Sequence, residues 1–213
     1  MKEKYILISF FLIITSVSIS QEKNYVIKNF GSISVSSNLE IQNGDYKILQ
    51  NTIEVELRKE APYLQGSQNA IVFQQKGLNS FSNDAFSKFI RIIIRSQEDK
   101  NLNKIKAREP IKISQNEKDN FLKNQKIVAV ESANQIGAII KGQITAKTIK
   151  IGSYYYLRAK YLLYHEKFGE IDYSIHYLLN NGYKHIITTM FSVKDKTDFY
   201  KIINDALNSI VLN

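Results

Sequence analysis

The chain contains no cysteine among its 213 residues. This absence excludes disulfide bonds, thiolate metal sites and cysteine nucleophiles. A protein without disulfides has to be stabilised by its hydrophobic core. With 44% hydrophobic residues the chain can form a sizeable core, and its length suits a single domain. Aromatic and β-branched residues are plentiful, which argues against disorder.

Arginine is also scarce, although the formal net charge is +9. The arginines are Arg58, Arg91, Arg95, Arg108 and Arg158. Guanidinium groups are the preferred side chains for bidentate contacts with phosphates and bases. We therefore predict no specific nucleic-acid binding. The lysines are spread along the chain, and binding of a polyanion or a membrane surface through them stays open as an alternative.

Recognisable catalytic signatures are missing as well. The serines have no G-x-S-x-G context, and the carboxylates are scattered. The glycine-containing segment Ile136–Ile144 lacks the lysine-serine/threonine end of a phosphate-binding loop, so we interpret it as a link into a sheet. These observations predict a protein that is not an enzyme and has no cofactor.

The three histidines are His165, His176 and His185, and the last two flank the turn Asn180–Gly182. If only the last two residues of the turn form the loop, His176 and His185 share a sheet face and are near enough to share a metal, with Asp172 nearby. If all three form the loop, the two histidines point to opposite faces. The three-residue loop places the more apolar residues of both strands on the same sheet face. We therefore favour the three-residue loop and predict no metal site.

The amino terminus, Met1–Gln21, has the pattern of a secretory signal peptide. Two lysines precede a short apolar run, and small residues at Ser18 and Ser20 permit cleavage before Gln21. An uncleaved anchor is the alternative. We expect a signal peptide over 1–20 and one α+β domain over 21–213. The mature protein would be exported, periplasmic or secreted, without a transmembrane span.

The longest pattern in the body of the chain runs from Lys147 to Val193. It is rich in Ile, Tyr, Leu and Thr, which favour strands. Turn signals at Glu166–Glu170 and Asn180–Gly182 divide it, so we predict three consecutive antiparallel strands.

Other segments supply the remaining elements. Tyr46–Leu64 fits helix or strand, and we favour helix. Ser114 and Glu117 form a capping box that starts a helix ending near Ala133. A final helix begins at Asp195 or Thr197 and carries an apolar stripe from Phe199 to Val211.

Gln21–Phe30 is predicted as a polar lead-in and Gln97–Arg108 as a loop. Short strands are predicted at Gly31–Ser36, Leu39–Gln42, Asn69–Lys76 and Phe89–Arg95.

Two pairs of residues within strands are candidates for binding. Arg91 and Arg95 are four residues apart on one strand face, which suits an anionic ligand. Solvated charges at a strand end are the alternative, and we favour it. Tyr154 and Tyr156 face one side of their strand and are candidates for stacking a ligand. A tyrosine-rich sheet interior explains them equally well.

The chain resembles the PsbP-like and Mog1-like proteins, especially their small exported bacterial members. The resemblance lies in Phe30–Gln42, Ile71–Asn79 and Phe89–Ile94, followed by tyrosine-rich strands and a closing helix. This chain has Ser36 and Ser37 where that family usually has a proline. The resemblance implies an α/β/α sandwich with a central antiparallel sheet and helices on both faces. It also implies an accessory or binding role: members assist photosystem assembly or bind a small GTPase.

The sequence therefore predicts an exported, non-catalytic binding or accessory module that engages an unknown protein or envelope partner. The candidate binding residues are Gln74, Gln75, Lys76, Asn79, Arg91, Arg95, Tyr154 and Tyr156. The alternative is a protein or enzyme that binds a small molecule or metal through the hairpin of His176 and His185.

Overall fold

The computed structural model describes residues 21–49, 51–52, 70–102 and 104–213. The predicted signal peptide lies outside these residues, and so do residues 53–64 of the predicted helix Tyr46–Leu64. The described chain is a mixed α/β fold built around a large antiparallel sheet, as the sequence predicts.

Among the described residues, seven strands form the large sheet. In spatial order they are β3 (Leu39–Ile41), β4 (Ile71–Gln75), β5 (Ile90–Glu98), β9 (Tyr183–Ser192), β8 (Gly169–Asn180), β7 (Tyr154–His165) and β6 (Ile139–Ile151). All neighbouring pairs are antiparallel. The alternation of apolar and polar residues in these strands gives each strand two distinct faces.

A second sheet has the order β1 (Glu22–Ile27), β2 (Gly31–Ser36) and β10 (Val211–Leu212). The polar lead-in prediction was wrong here, because β1 pairs with β2 along its whole length. Exposed polar side chains in β1 obscure its strand character in the sequence. Gly31 has φ of 130°, and a Cβ at this position would lie 2.0 Å from the carbonyl oxygen of Val211. Only glycine lets β10 approach this closely.

The prediction of three strands between Lys147 and Val193 was wrong. The region from residue 139 to residue 192 contains four strands, since β6 and β7 are separate and meet at Gly152 and Ser153. Gly152 has φ of 55°, which permits a tight turn inside a run of strand-forming residues. The predicted link Ile136–Ile144 also contains the start of β6, so it is largely strand.

The hairpin between β8 and β9 has the shorter of the two loops considered. Leu178 pairs with His185 and Asn180 with Tyr183, which leaves Asn181 and Gly182 as the loop. Both loop residues have positive φ, at 46° and 82°, as a type I′ turn requires. The preferred three-residue register was therefore wrong. Apolar residues occupy both faces of these buried strands, so their alternation does not choose the register.

Three α-helical segments accompany the sheets among the described residues. The first, α1, includes the helical residues 44–49 and 51–52. The second, α2 (Gln115–Gln135), begins with the predicted capping box. Ser114 Oγ accepts from the amide of Glu117 at 3.3 Å, while the Glu117 carboxylate accepts from the amide of Ser114 at 2.7 Å. The capping-box prediction is confirmed.

The third helix, α3 (Lys196–Asn208), has Asp195 at its N-cap, without a capping hydrogen bond from the side chain. Its apolar stripe continues to the buried Ile210, whereas Val211 belongs to β10 and is exposed. Across the described part of the chain, no helix has both the length and the apolar character needed to cross a membrane.

The buried apolar residues form two main clusters. The first joins one set of sheet residues to β1, β2 and α3, and it includes Phe30, Phe73, Ile187 and Phe199. The second joins another set of sheet residues to α2. Its sheet members include Tyr161, Tyr173 and Met190, and its helix members include Ala129 and Ala133.

Candidate functional site

Gln75, a predicted binding residue, is tied into the loop that precedes β5. Its Nε2 donates to the carbonyl oxygens of Ala85 and Lys88, at 3.0 and 2.5 Å, and its Oε1 accepts from the amide of Ile90 at 3.3 Å. Its neighbour Lys76 is exposed. Gln75 therefore orders the backbone around the start of β5 and has no free amide group to offer a partner.

Gln74 and Asn79 also have structural partners. Gln74 Nε2 donates to Asn79 Oδ1 at 3.1 Å, and Asn79 Nδ2 donates to the carbonyl oxygen of Ile41 at 2.7 Å. The amide of Asn43 donates to the same Asn79 oxygen at 3.0 Å. Asn79 thus joins the turn after β4 to the end of β3. Removing this side chain is expected to disturb the fold locally.

Tyr154 and Tyr156 lie inside the first core cluster, with 5% and 0% of their surface exposed. The Tyr154 hydroxyl accepts from the amide of Leu212 at 3.1 Å and so joins β7 to β10. This burial agrees with the sheet-interior interpretation. It leaves neither ring with a face on which an external ligand can stack.

Arg91 lies on the opposite face of β5 from the buried Ile90 and Ile92 and is partly buried. Its Nη2 donates to the hydroxyl of Tyr46 in α1 at 3.1 Å. The guanidinium carbon lies 5.6 Å from the ring centroid of Phe89. Two aromatic side chains therefore hold the guanidinium in place, while its Nε has no hydrogen-bond partner among the described residues.

Arg95 lies on the same face as Arg91, four residues further along β5, and is also partly buried. A rise of about 3.3 Å per residue places the two Cα atoms about 13 Å apart. Arg95 Nε has no hydrogen-bond partner within the described chain. Ile93, which is partly buried, lies between the two arginines on this face.

We call Arg91, Ile93 and Arg95 the arginine strip. Neither arginine has a carboxylate partner among the described residues. The described ion pairs are Lys141–Glu170, Lys160–Asp172 and Lys201–Asp205. The strip therefore combines two positive charges, one of them held by aromatic neighbours, with an apolar centre. Tyr46, which anchors Arg91, was not among the predicted site residues. It lies 45 positions away in the sequence, and no local pattern connects it to Arg91.

His176 and His185 share a sheet face, as the two-residue loop requires. They have separate partners: His185 Nδ1 lies 2.9 Å from Ser96 Oγ, and His176 Nε2 lies 3.5 Å from Thr189 Oγ1. Burial, reinforced by nearby cations, lowers the pKa of His176 to about 3. Burial lowers the pKa of His185 to about 4. Both rings are therefore neutral at neutral pH.

No cluster of three or more His, Asp or Glu side chains that could hold a metal ion occurs in the described parts of the chain. The third histidine, His165, lies at the end of β7. Its Nδ1 accepts from the amide of Lys167 at 3.1 Å, which stabilises the turn into β8.

Comparison with protein-family models and with curated protein sequences gives no match. A crystal structure from Bacteroides thetaiotaomicron VPI-5482 aligns with a TM-score of 0.46 and 9% identity. The alignment covers 91% of this chain and 49% of that one, so this chain spans about half the length of that protein. The solution structure of cyanobacterial PsbP (CyanoP) from Synechocystis sp. PCC 6803 aligns with a TM-score of 0.49 and 13% identity, covering 93% of this chain and 96% of that one.

Proposed function

We propose that this protein is an exported, non-catalytic binding module whose arginine strip engages acidic groups of a protein partner. The observation that carries the proposal is the pair of guanidinium groups without carboxylate partners in the described chain. Arginine presents several N–H donors in a planar arrangement that matches carboxylates. A partly buried arginine also loses less conformational freedom on binding when neighbouring groups already hold it.

The spacing within the strip suits a protein ligand. Two cationic groups about 13 Å apart, with an apolar residue between them, match an extended segment with acidic residues four positions apart. Ile93 would contact an apolar side chain between the two carboxylates. An accessory protein of this kind contributes recognition and not chemistry, in agreement with the missing catalytic signatures.

We further propose that helices cover both faces of the large sheet and that the protein acts outside the cytoplasm. Because side chains alternate along the strands, the sheet residues of the first and second core clusters belong to opposite faces. We infer that α3 with the small sheet covers one face and α2 covers the other. The amino-terminal pattern supports export to the periplasm or the medium. Both features suit a small module that works outside the cytoplasm.

The test is a crosslinking pull-down from the envelope fraction of the source organism, with purified protein as bait. The Arg91→Gln/Arg95→Gln variant removes two positive charges from the strip. The matched control, Lys123→Gln/Lys126→Gln, removes two positive charges from exposed residues of α2. We expect the wild type and the control to capture the same partner, and the arginine variant to lose at least tenfold in capture.

Equal capture by all three proteins would overturn the role of the strip. Loss of capture by both double variants would indicate nonspecific attraction of the basic protein to polyanions. Capture measured at increasing salt separates these cases further, because nonspecific polyanion binding falls steeply with salt concentration. Circular dichroism melts of each variant verify that the fold is retained.

A further inference from the structure

A second group of polar side chains lies on the other face of the sheet, where β7 and β8 pair. Arg158 is directly opposite His176 in this pairing. Tyr156 precedes Arg158 by two residues and so shares its face. The Tyr156 ring is edge-on to the His176 ring, with centroids 5.9 Å apart. We call Tyr156, Arg158 and His176 the histidine cluster.

Each member of the histidine cluster has an enclosed polar atom without a protein partner. These atoms are the Tyr156 hydroxyl, Arg158 Nε and His176 Nδ1, none of which makes a hydrogen bond within the described residues. Tyr156 is 0% exposed and His176 is 3% exposed. Buried polar groups are nearly always hydrogen-bonded. Three exceptions on neighbouring residues of one sheet face therefore point to a ligand from outside the chain.

The chemistry of the three atoms specifies the ligand. His176 Nε2 lies 3.5 Å from Thr189 Oγ1. When Thr189 donates to Nε2, the ring proton is on Nδ1, which is then a donor. Arg158 Nε–H is always a donor, and the Tyr156 hydroxyl is free to donate. Arg158 and Tyr156 supply two donors, and His176 Nδ1 supplies a third in this tautomer. Such a set matches a group with several acceptor lone pairs, as in a carboxylate or phosphate.

The surrounding charges favour an anion. Lys147 is opposite Arg158 on β6, and Lys160 lies two residues beyond Arg158 on the same face. Asp172 on β8 is neutralised by Lys160, whose Nζ lies 2.5 Å from its carboxylate. Burial and the neighbouring Arg158 and Lys160 lower the pKa of His176 to about 3, so its ring offers an uncharged N–H at neutral pH. The positive charge of Arg158 is therefore not balanced by these neighbours.

From this geometry we infer that the histidine cluster is a binding site for a small oxyanion, a carboxylate or a phosphate. Tyr156 and His176 are almost fully buried, whereas Arg158 is partly exposed and would be the member that a ligand reaches first. The enclosure restricts the ligand to a small molecule or to the terminal group of a larger one. This site is separate from the arginine strip, and the inference does not depend on the proposed function.

The test follows the imidazole resonances of His176 by NMR at pH 7 in the purified protein. Inorganic phosphate and acetate are titrated in separate experiments, with sodium chloride keeping the ionic strength constant. We expect one of the two anions to shift the His176 signals saturably and to leave those of His165 nearly unchanged. The anion that saturates at the lower concentration identifies the preferred class. Shifts that are linear in concentration and equal at both histidines would overturn the site.

Variants of the cluster sharpen this test. Arg158→Gln is expected to weaken binding at least tenfold, because it removes the charge-assisted donor. Tyr156→Phe is expected to weaken binding severalfold. Lys150→Gln is the matched control: it removes one charge from β6 on the face that does not carry Lys147, and binding should stay within twofold. Wild-type affinity in Arg158→Gln would contradict the proposal. If a thermal melt shows that Tyr156→Phe does not fold, the affinity of Arg158→Gln alone decides whether the histidine cluster binds the anion.

Discussion

The arginine strip and the histidine cluster use the same side-chain chemistry in two different settings. In the strip, the two arginines are partly buried, and aromatic neighbours hold one of them. In the cluster, Arg158 is joined by a tyrosine and a histidine that have almost no exposed surface. The first arrangement leaves part of each arginine side chain exposed. The second adds two side chains that are almost fully enclosed.

The largest difference between the arginine strip and the histidine cluster is expected in their contributions to the free energy of unfolding. Tyr156→Ala removes a fully buried aromatic ring, which typically lowers the free energy of unfolding by about 3–5 kcal/mol. Arg95→Ala removes a partly buried side chain that has no ion-pair partner in the described chain, and should change stability by about 0.5 kcal/mol. Urea denaturation of both variants measures the difference. Equal effects would mean that the two regions do not differ in burial.

The two regions should also differ in how they make the stability of the protein depend on pH. His176 has a folded pKa of about 3, below the ordinary value of 6.5, so the unfolded chain binds a proton more readily. The neutral His176 ring makes its full contribution to the free energy of unfolding above pH 6.5. This contribution is lost as the pH falls towards 3. At 1.36 kcal/mol per pKa unit, the difference between 6.5 and about 3 corresponds to a loss of up to about 5 kcal/mol. His185, with a folded pKa of about 4, adds a loss in the same direction.

The variant His176→Phe should therefore reduce the loss of stability between pH 6.5 and pH 3. Arg91→Gln/Arg95→Gln should show the same loss as the wild type, because arginine stays charged throughout this range. Urea denaturation in chloride buffers at several pH values tests both expectations. An unchanged pH profile in His176→Phe would contradict the neutral state of the buried ring.

The smallest difference is expected between the stability effects of removing the Tyr46 and the Tyr156 hydroxyl. The Tyr46 hydroxyl accepts a hydrogen bond from Arg91, so Tyr46→Phe should destabilise the protein by about 1 kcal/mol. The Tyr156 hydroxyl is buried without a partner in the described chain. In buffer without phosphate or carboxylates, Tyr156→Phe should be neutral or stabilising by about 1 kcal/mol. A clear destabilisation by Tyr156→Phe would show that the hydroxyl already has a partner, such as a buried water.

Sequence patterns identified the features that depend on local chemistry. The capping box of Ser114 and Glu117 was predictable because its two partners are three residues apart. The apolar stripe of α3 was predictable because helical periodicity repeats over several turns. The turn at Gly152 was missed because strong strand-forming residues surround it. Strand β1 was missed because its exposed side chains resemble those of a loop.

The candidate sites depend on contacts that no local pattern contains. The alternation rule places Arg91 and Arg95 on one face, but the anchoring of Arg91 by Tyr46 requires α1 to lie beside β5. Similarly, the relation of His176 to His185 depended on whether the β8–β9 loop has two or three residues. A change of one residue moves a whole strand face from one side of the sheet to the other.

The amino-acid sequence by itself determined the strands β2 to β5, the position of α2 and α3 and the absence of cysteine chemistry. It did so because propensity, periodicity and capping act over a few neighbouring residues. The tertiary structure alone decided which polar atoms are enclosed without partners and which arginines lack a carboxylate in the described chain. Those properties arise when strands that are distant in the sequence become neighbours, since burial and pairing are set by the whole sheet and the elements packed against it.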